Sequence, residues 1–272
     1  MRLLFIALIT LASIQLTAQS TWYEVESGVS VHLNCVSFPV SGIGYIGGDS
    51  LVLLKTMDSG ATWMLVDLSG LELPNPEIRP VVDVHFTDPF QGMIALGNYS
   101  GFYFTEDGGE TWTSVDPNNS GFCQTQTIDQ VDFGLGTTTF LGGGGCFQGG
   151  IISKGNFSEY TSTTLPETFD TDDRINAFAF ESDEIGIAVS STGRILRTTD
   201  TGETWEEVEH DFTDVHFTDV EYVGANEYKA TSKWEGEGFF GILQSLDNGL
   251  TWQDDWELAT FYYPKMEAVH MN

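Results

Sequence analysis

The chain is predicted to be all-β and assembled from a repeated four-stranded unit. Three observations predict it. A nine-residue polar segment closing on tryptophan occurs at 55–63, 104–112, 197–205 and 244–252. Short apolar strands opening on a Val-x-Phe-like triplet recur every ~42 to 49 residues, close to the length of four strands with their turns. No stretch shows helical periodicity.

The polar segments share the skeleton Asp-x-Gly-x-Thr-Trp: Asp58, Gly60 and Trp63; Asp107, Gly109 and Trp112; Asp200, Gly202 and Trp205; Asp247, Gly249 and Trp252. The Asp carboxylate suits the first corner because it can accept backbone N–H groups of the turn that follows. Gly supplies a positive φ that a Cβ resists. Trp offers a large apolar body at the start of the next strand, so all four are expected in the core. These spacings describe a hairpin lock, not a catalytic site. The pattern resembles the Asp-box, or bacterial neuraminidase repeat. That resemblance implies a β-propeller with the box on the outer hairpin of each blade, and a structural role for it in enzymes and non-enzymes alike.

Met1 to Ala18 is an apolar run behind Arg2, too short for a span, and is read as a secretory signal peptide. Residues 19–272 then form the propeller domain, and the mature protein is secreted, periplasmic or at the cell surface, without membrane insertion. Thr21-Trp22-Tyr23-Glu24-Val25 copies the strand that follows each box, as in Trp63-Met64-Leu65-Val66. The repeats open at Val36-Ser37-Phe38, Val84-His85-Phe86, Val131-Asp132-Phe133, Phe178-Ala179-Phe180, Val220-Glu221-Tyr222 and Val269-His270-Met271. A second strand follows, as in Gly44-Tyr45-Ile46-Gly47, and a third leads into the box. Five complete four-stranded blades are expected, with an incomplete, split sixth made from the two ends of the chain, and the C-terminus is read as truncated.

The third repeat departs from the pattern. At 153–160, Gly155 takes the Asp position, Phe157 the Gly position and Tyr160 the Trp position. The preceding run Gly142 to Gly150 lacks the Lys-Ser/Thr ending and helix of a phosphate loop. It is read as a flexible hairpin, with a mobile loop at the ligand face as the alternative.

Forty Asp plus Glu against ten Lys plus Arg give a net charge of −30, and loss of Arg2 with the leader adds one more negative charge. Such a surface repels nucleic acid and anionic lipid. Among three cysteines, Cys123 and Cys146 lie within one repeat and are disulfide candidates in an oxidising compartment, while Cys35 is read as a small buried side chain. No cofactor is expected. Calcium is considered at Asp170-Thr171-Asp172-Asp173, which lacks the Gly and terminal Glu of an EF-hand and reads as a solvated turn. The five histidines show no ligand spacing. His85 and His216 share the hexamer Asp-Val-His-Phe-Thr-Asp, read as repeat ancestry.

Sialidase chemistry needs three converging arginines, and the mature chain has only Arg79, Arg174, Arg194 and Arg197, with Arg197 beside a box. A glycosidase acting on neutral polysaccharide needs only two carboxylates flanking the bond; Asp83 and Asp132, on or near inner strands, are the candidates. The leading Trp-x-x-Val, Val-x-Phe, Gly-Tyr-x-x-Gly and Lys/Arg-Thr-x-Asp-x-Gly-x-Thr-Trp together resemble the photosystem II stability and assembly factor family and its exported bacterial relatives, across most of 22–272. The resemblance implies a non-catalytic propeller that binds a protein partner. The photosynthetic members bind through a basic patch, and this chain is acidic. The expected function is an exported binding or scaffold module for a protein or glycan, with the glycosidase as the alternative.

Overall fold

The computed structural model describes residues 24–254, apart from 72, 74–78, 98–100, 116–121, 133–136, 146–148, 156–159, 164, 167–172 and 235–239. The described residues hold twenty strands and no helix. They form five four-stranded antiparallel sheets, each built from consecutive strands.

The first blade is β1 (Leu33–Val40), β2 (Ile43–Gly48), β3 (Val52–Thr56) and β4 (Met64–Leu65). The second is β5 (Val81–Phe86), β6 (Gly92–Leu96), β7 (Gly101–Thr105) and β8 (Thr113–Val115). The third is β9 (Phe122–Asp132), β10 (Thr137–Gly145), β11 (Gly149–Gly155) and β12 (Tyr160–Ser162). The fourth is β13 (Ile175–Phe180), β14 (Gly186–Ser190), β15 (Ile195–Thr198) and β16 (Glu206–Glu207). The fifth is β17 (Val215–Gly224), β18 (Glu227–Trp234), β19 (Phe240–Ser245) and β20 (Gln253–Asp254). First strands of successive blades lie side by side, β1 on β5, β5 on β9, β9 on β13 and β13 on β17. The result is a five-bladed β-propeller arrangement of four-stranded blades.

The hydrophobic core is four separate layers, one between each pair of successive blades. Tyr45, Leu53, Val84 and Phe86 fill the first, and Met93, Phe102, Leu141 and Tyr160 the second. Phe140, Ile152, Phe178 and Trp205 fill the third, and Ile187, Val220, Leu243 and Trp252 the fourth. Strand alternation causes this, because odd and even residues of one sheet face opposite neighbours. Asparagines at the register shifts of β1 and β13 tie the first strands together: Asn34 Nδ2 donates to the Val81 carbonyl at 3.1 Å and Asn176 Nδ2 to that of Phe217 at 2.7 Å.

One expectation is corrected here. Only Trp205 and Trp252 are fully buried; Trp63 and Trp112 are half-buried. The run from Gly142 to Gly150 is part of a hairpin, as expected: Gly142 to Gly145 end β10, laddered against Gly149 to Ile152 of β11. The fifth blade takes Val220-Glu221-Tyr222 as its Val-x-Phe-like triplet, as expected, so the two identical hexamers sit in different registers. Phe86 closes β5 opposite Gly92, whereas Phe217 lies near the start of β17 opposite Ser232, and Tyr222 holds the place next to the hairpin. Register follows the turn and the bulge, not local identity.

Phe140 is wholly buried between the third and fourth blades. Replacing it with Ala is expected to lower the unfolding free energy by about 3–5 kcal/mol, read from the denaturant midpoint. Phe38→Ala, at a half-exposed ring, is expected to lower it by far less.

Candidate functional site

Every Asp-x-Gly-x-Thr-Trp segment folds the same way. Asp107 is representative: Thr111 donates its N–H to Oδ1 at 2.9 Å and its hydroxyl to Oδ2 at 2.6 Å. Thr105, two residues earlier, donates its hydroxyl to Oδ1 at 2.7 Å while accepting the Gly109 N–H at 2.9 Å. Asp58, Asp200 and Asp247 repeat the pattern with Thr56, Thr198 and Ser245. That buried hydroxyl is the residue the skeleton omitted, although a Thr or Ser stands there in all four copies. The residue between Asp and Gly is left-handed too: Ser59 at φ 62, Gly108 at 73, Thr201 at 59 and Asn248 at 61.

Donors gathered on one carboxylate favour its ionised form. The Thr111 hydroxyl and N–H pull Asp107 down to about 2, and Thr62 and Thr56 lower Asp58 in the same way. Asp200 and Asp247 are lowered despite an opposing desolvation. These four acids are held toward their ionised form by hydrogen bonds from their own turns.

The turn of one blade receives a side-chain pair from the blade before it. Tyr45 stacks on Phe86 with centroids 3.6 Å apart, and its hydroxyl donates to the Gly108 carbonyl at 3.1 Å. Lys55, directly across from Tyr45 in the ladder, donates to the same carbonyl at 2.8 Å. Phe140 packs on Phe180 at 4.5 Å beside Trp205, and its ladder partner Lys154 donates to the Thr201 carbonyl at 3.0 Å and pairs with Glu203 at 2.6 Å. Ile187 packs against Gly249, where a Cβ would overlap it, and its ladder partner Arg197 donates to the Asn248 carbonyl at 2.8 Å. Between the second and third blades the pair is Met93 and Phe104, with no cation, and the receiving hairpin lacks the Asp-x-Gly turn.

The candidate acids are not drawn into one described cleft. Asp83 lies on β5, half-buried, and its Oδ1 accepts the Val84 N–H at 2.8 Å. Asp132 ends β9 opposite Thr137, and its side chain lies outside the described residues, as do Cys146, the side chain of Cys123, and residues 170–172. Asp173 is fully buried, accepts the Arg174 N–H and meets Arg194 at 3.4 Å. Among the described residues no three His, Cys, Asp or Glu form a metal-sized cluster. Cys35 is half-buried against Val81, and burial raises its thiol well above the ordinary range. Burial pushes His85 down to about 4. His210 Nε2 lies 2.8 Å from the Gly193 carbonyl, and His216 Nδ1 meets that of Ser191.

Two surfaces stand out at the two ends of the arc. On the first blade Val36, Phe38, Met57, Met64 and Leu65 are exposed. On the fifth, a depression of about 1010 Å³ is lined by Glu209, Asp211, Phe212, Glu227, Lys229 and Trp252 among others.

His85 and Asp107 make acid unfolding a two-step matter. Both have folded pKa values below their unfolded ones, so each stabilises at higher pH and loses that contribution as pH falls. For His85 the window runs from about 6.5 to about 4; for Asp107 it runs from about 3.9 to about 2. Thermal melts of Asp107→Asn across pH 2 to 7 are expected to lose part of the lower step and retain the upper one.

No protein-family model matches the chain, and no curated protein does. Solved structures do. A structure of YCF48 bound to D1 peptide is 20% identical with a TM-score of 0.57, over 84% of this chain and 69% of that one. YCF48 from Cyanidioschyzon merolae is 17% identical with a TM-score of 0.59, over 85% and 74%. The GH74 xyloglucanase from Xanthomonas campestris is 13% identical with a TM-score of 0.57, over 82% of this chain but 38% of the enzyme. At these identities the likeness establishes the fold, and the fold is a β-propeller.

Proposed function

We propose that this chain is an exported, non-enzymatic β-propeller that binds a protein or glycan. In this reading residues 1–18 are a signal peptide and the four turns are Asp-boxes. The strand-like segments at 22–25 and 266–271 belong to an incomplete sixth blade. The protein is a relative, without the basic patch, of the photosystem II stability and assembly factor propellers. The observation that carries the reading is the state of the box acids: each of the four carboxylates accepts three hydrogen bonds from its own turn, so the most regular acidic feature of the chain is structural. A strongly acidic chain with an exposed apolar face then fits recognition better than hydrolysis. The YCF48 structure with a peptide bound shows that a propeller of this shape can serve that purpose.

The full chain is to be incubated with neutral and sialylated glycans, with and without calcium, scoring new reducing ends and retained sugar. The expected result is no new reducing ends. Cleavage of a neutral glycan overturns the reading in favour of the glycosidase and directs attention to Asp83 and Asp132. Retention without cleavage assigns the glycan arm, and neither outcome on folded protein assigns the protein arm.

A further inference from the structure

The four seams between described blades are not fastened alike. At three of them the receiving blade turns a large apolar residue of its third strand towards the blade before it. These are Tyr103, Leu196 and Leu243, each no more than 1% exposed. Their ladder partners are Ile94, Ala188 and Ala230. In the third blade the same rung joins Leu141 to Ser153. Leu141 packs in the layer between the second and third blades, and residues directly across a ladder share one face. Ser153 therefore stands where the other blades place Tyr or Leu. It is wholly buried, and among the described residues its hydroxyl has no hydrogen-bond partner. A buried hydroxyl without a partner costs free energy that is recovered when water reaches it.

The same seam lacks the other two fastenings. Lys55, Lys154 and Arg197 each donate to a carbonyl in the turn of the blade ahead, and the residue at their position in the second blade is Phe104. The inserted residue there is Met93, an unbranched side chain that adapts to its surroundings and does little to fix them. The third hairpin has no Asp-x-Gly turn to receive it. Met93 instead accepts the Tyr160 hydroxyl on its sulfur at 3.6 Å, and a thioether is a weak acceptor. We propose that the seam between the second and third blades is a hinge. The arc opens there before it opens at the other three seams, with the first two blades moving as one body against the third, fourth and fifth. Opening this seam hydrates Ser153, whereas opening any other strips a lysine or arginine from a turn carbonyl. Local openings of this kind occupy the low-stability end of a fold, from which moving elements are drawn. The inference does not depend on what the protein binds.

Three wholly buried alanines report three seams: Ala95 the second-to-third, Ala188 the third-to-fourth and Ala230 the fourth-to-fifth. Ala95→Cys, Ala188→Cys and Ala230→Cys are made singly in the full chain and exposed to a thiol reagent under native conditions. Peptide mapping separates the introduced thiol from Cys35, Cys123 and Cys146. Labelling of Ala95→Cys is expected to be about tenfold faster or more, the scale of one charge-assisted hydrogen bond. Ser153→Ala removes the orphan hydroxyl without adding bulk. It is expected to slow labelling of Ala95→Cys about fivefold or more and to leave the other two rates unchanged. Denaturant midpoints of every variant separate local opening from global unfolding. In the unsubstituted chain, peroxide oxidation of Met93, mapped to its peptide, reads the same opening without an introduced thiol and is expected to slow in Ser153→Ala. Equal labelling at the three positions, or faster labelling at Ala188→Cys or Ala230→Cys, overturns the proposal. So do rates at Ala95→Cys and Met93 that ignore Ser153→Ala or follow global stability alone.

Discussion

At three of the four described seams a bulky side chain is pressed against a glycine of the next blade's polar turn, and the packing of those blades depends on that contact. A four-stranded sheet is too thin to have an interior of its own, so its apolar residues are buried only by the sheet alongside. The insertion works because the turn is both rigid and small. The Asp and Thr hydrogen bonds hold two successive left-handed residues in place, and the absent Cβ at Gly202 or Gly249 leaves the space that Phe140 or Ile187 occupies. A looser turn would let water reach the tryptophan behind it. The cation at the rim then satisfies a carbonyl that left-handed backbone turns outward.

Much of this was legible in the sequence, and the parts that were not have physical reasons. Asp-x-Gly-x-Thr-Trp is legible because only Gly takes the second left-handed position at little cost and only a carboxylate accepts so many donors. The blade period was legible because apolar triplets must recur once per sheet. The hydroxyl at Thr56, Thr105, Thr198 and Ser245 was visible as a column but looked like an ordinary strand residue. Only the three-dimensional turn shows it bridging Asp and Gly. Burial of the tryptophans was not legible at all. Trp63 and Trp205 share the same Asp-x-Gly-x-Thr-Trp skeleton, and their exposure differs because Trp205 has Phe140 of the preceding blade against it and, among the described residues, Trp63 meets only Phe38 of its own blade. The repeated hexamer shows that identity of six residues does not set the register, which the spacing of the triplets did indicate by placing the fifth at Val220-Glu221-Tyr222.

Acidity invites a catalytic interpretation that the geometry redistributes. A glycosidase needs two carboxylates facing one bond, with pKa values pushed apart by their surroundings. The box acids have theirs pushed the same way, downward, by the same kind of donor. Asp173 faces Arg194 in a buried pair, and Asp83 binds the backbone beside it. The net charge of −30 then acts through repulsion between copies of the chain.

The two ends of the arc differ in kind, and that difference is informative. A stack in which each unit buries only its neighbours needs polar outer faces on its terminal units. The fifth blade meets this requirement, since the positions that insert elsewhere are Lys229 and Gln244, beside Gln253. The first blade does not: it presents Val36, Phe38 and Leu65 around a turn built to receive. Among the described residues, the first blade therefore keeps the apolar, turn-closed face that a preceding sheet covers at other seams, whereas the fifth presents a polar one.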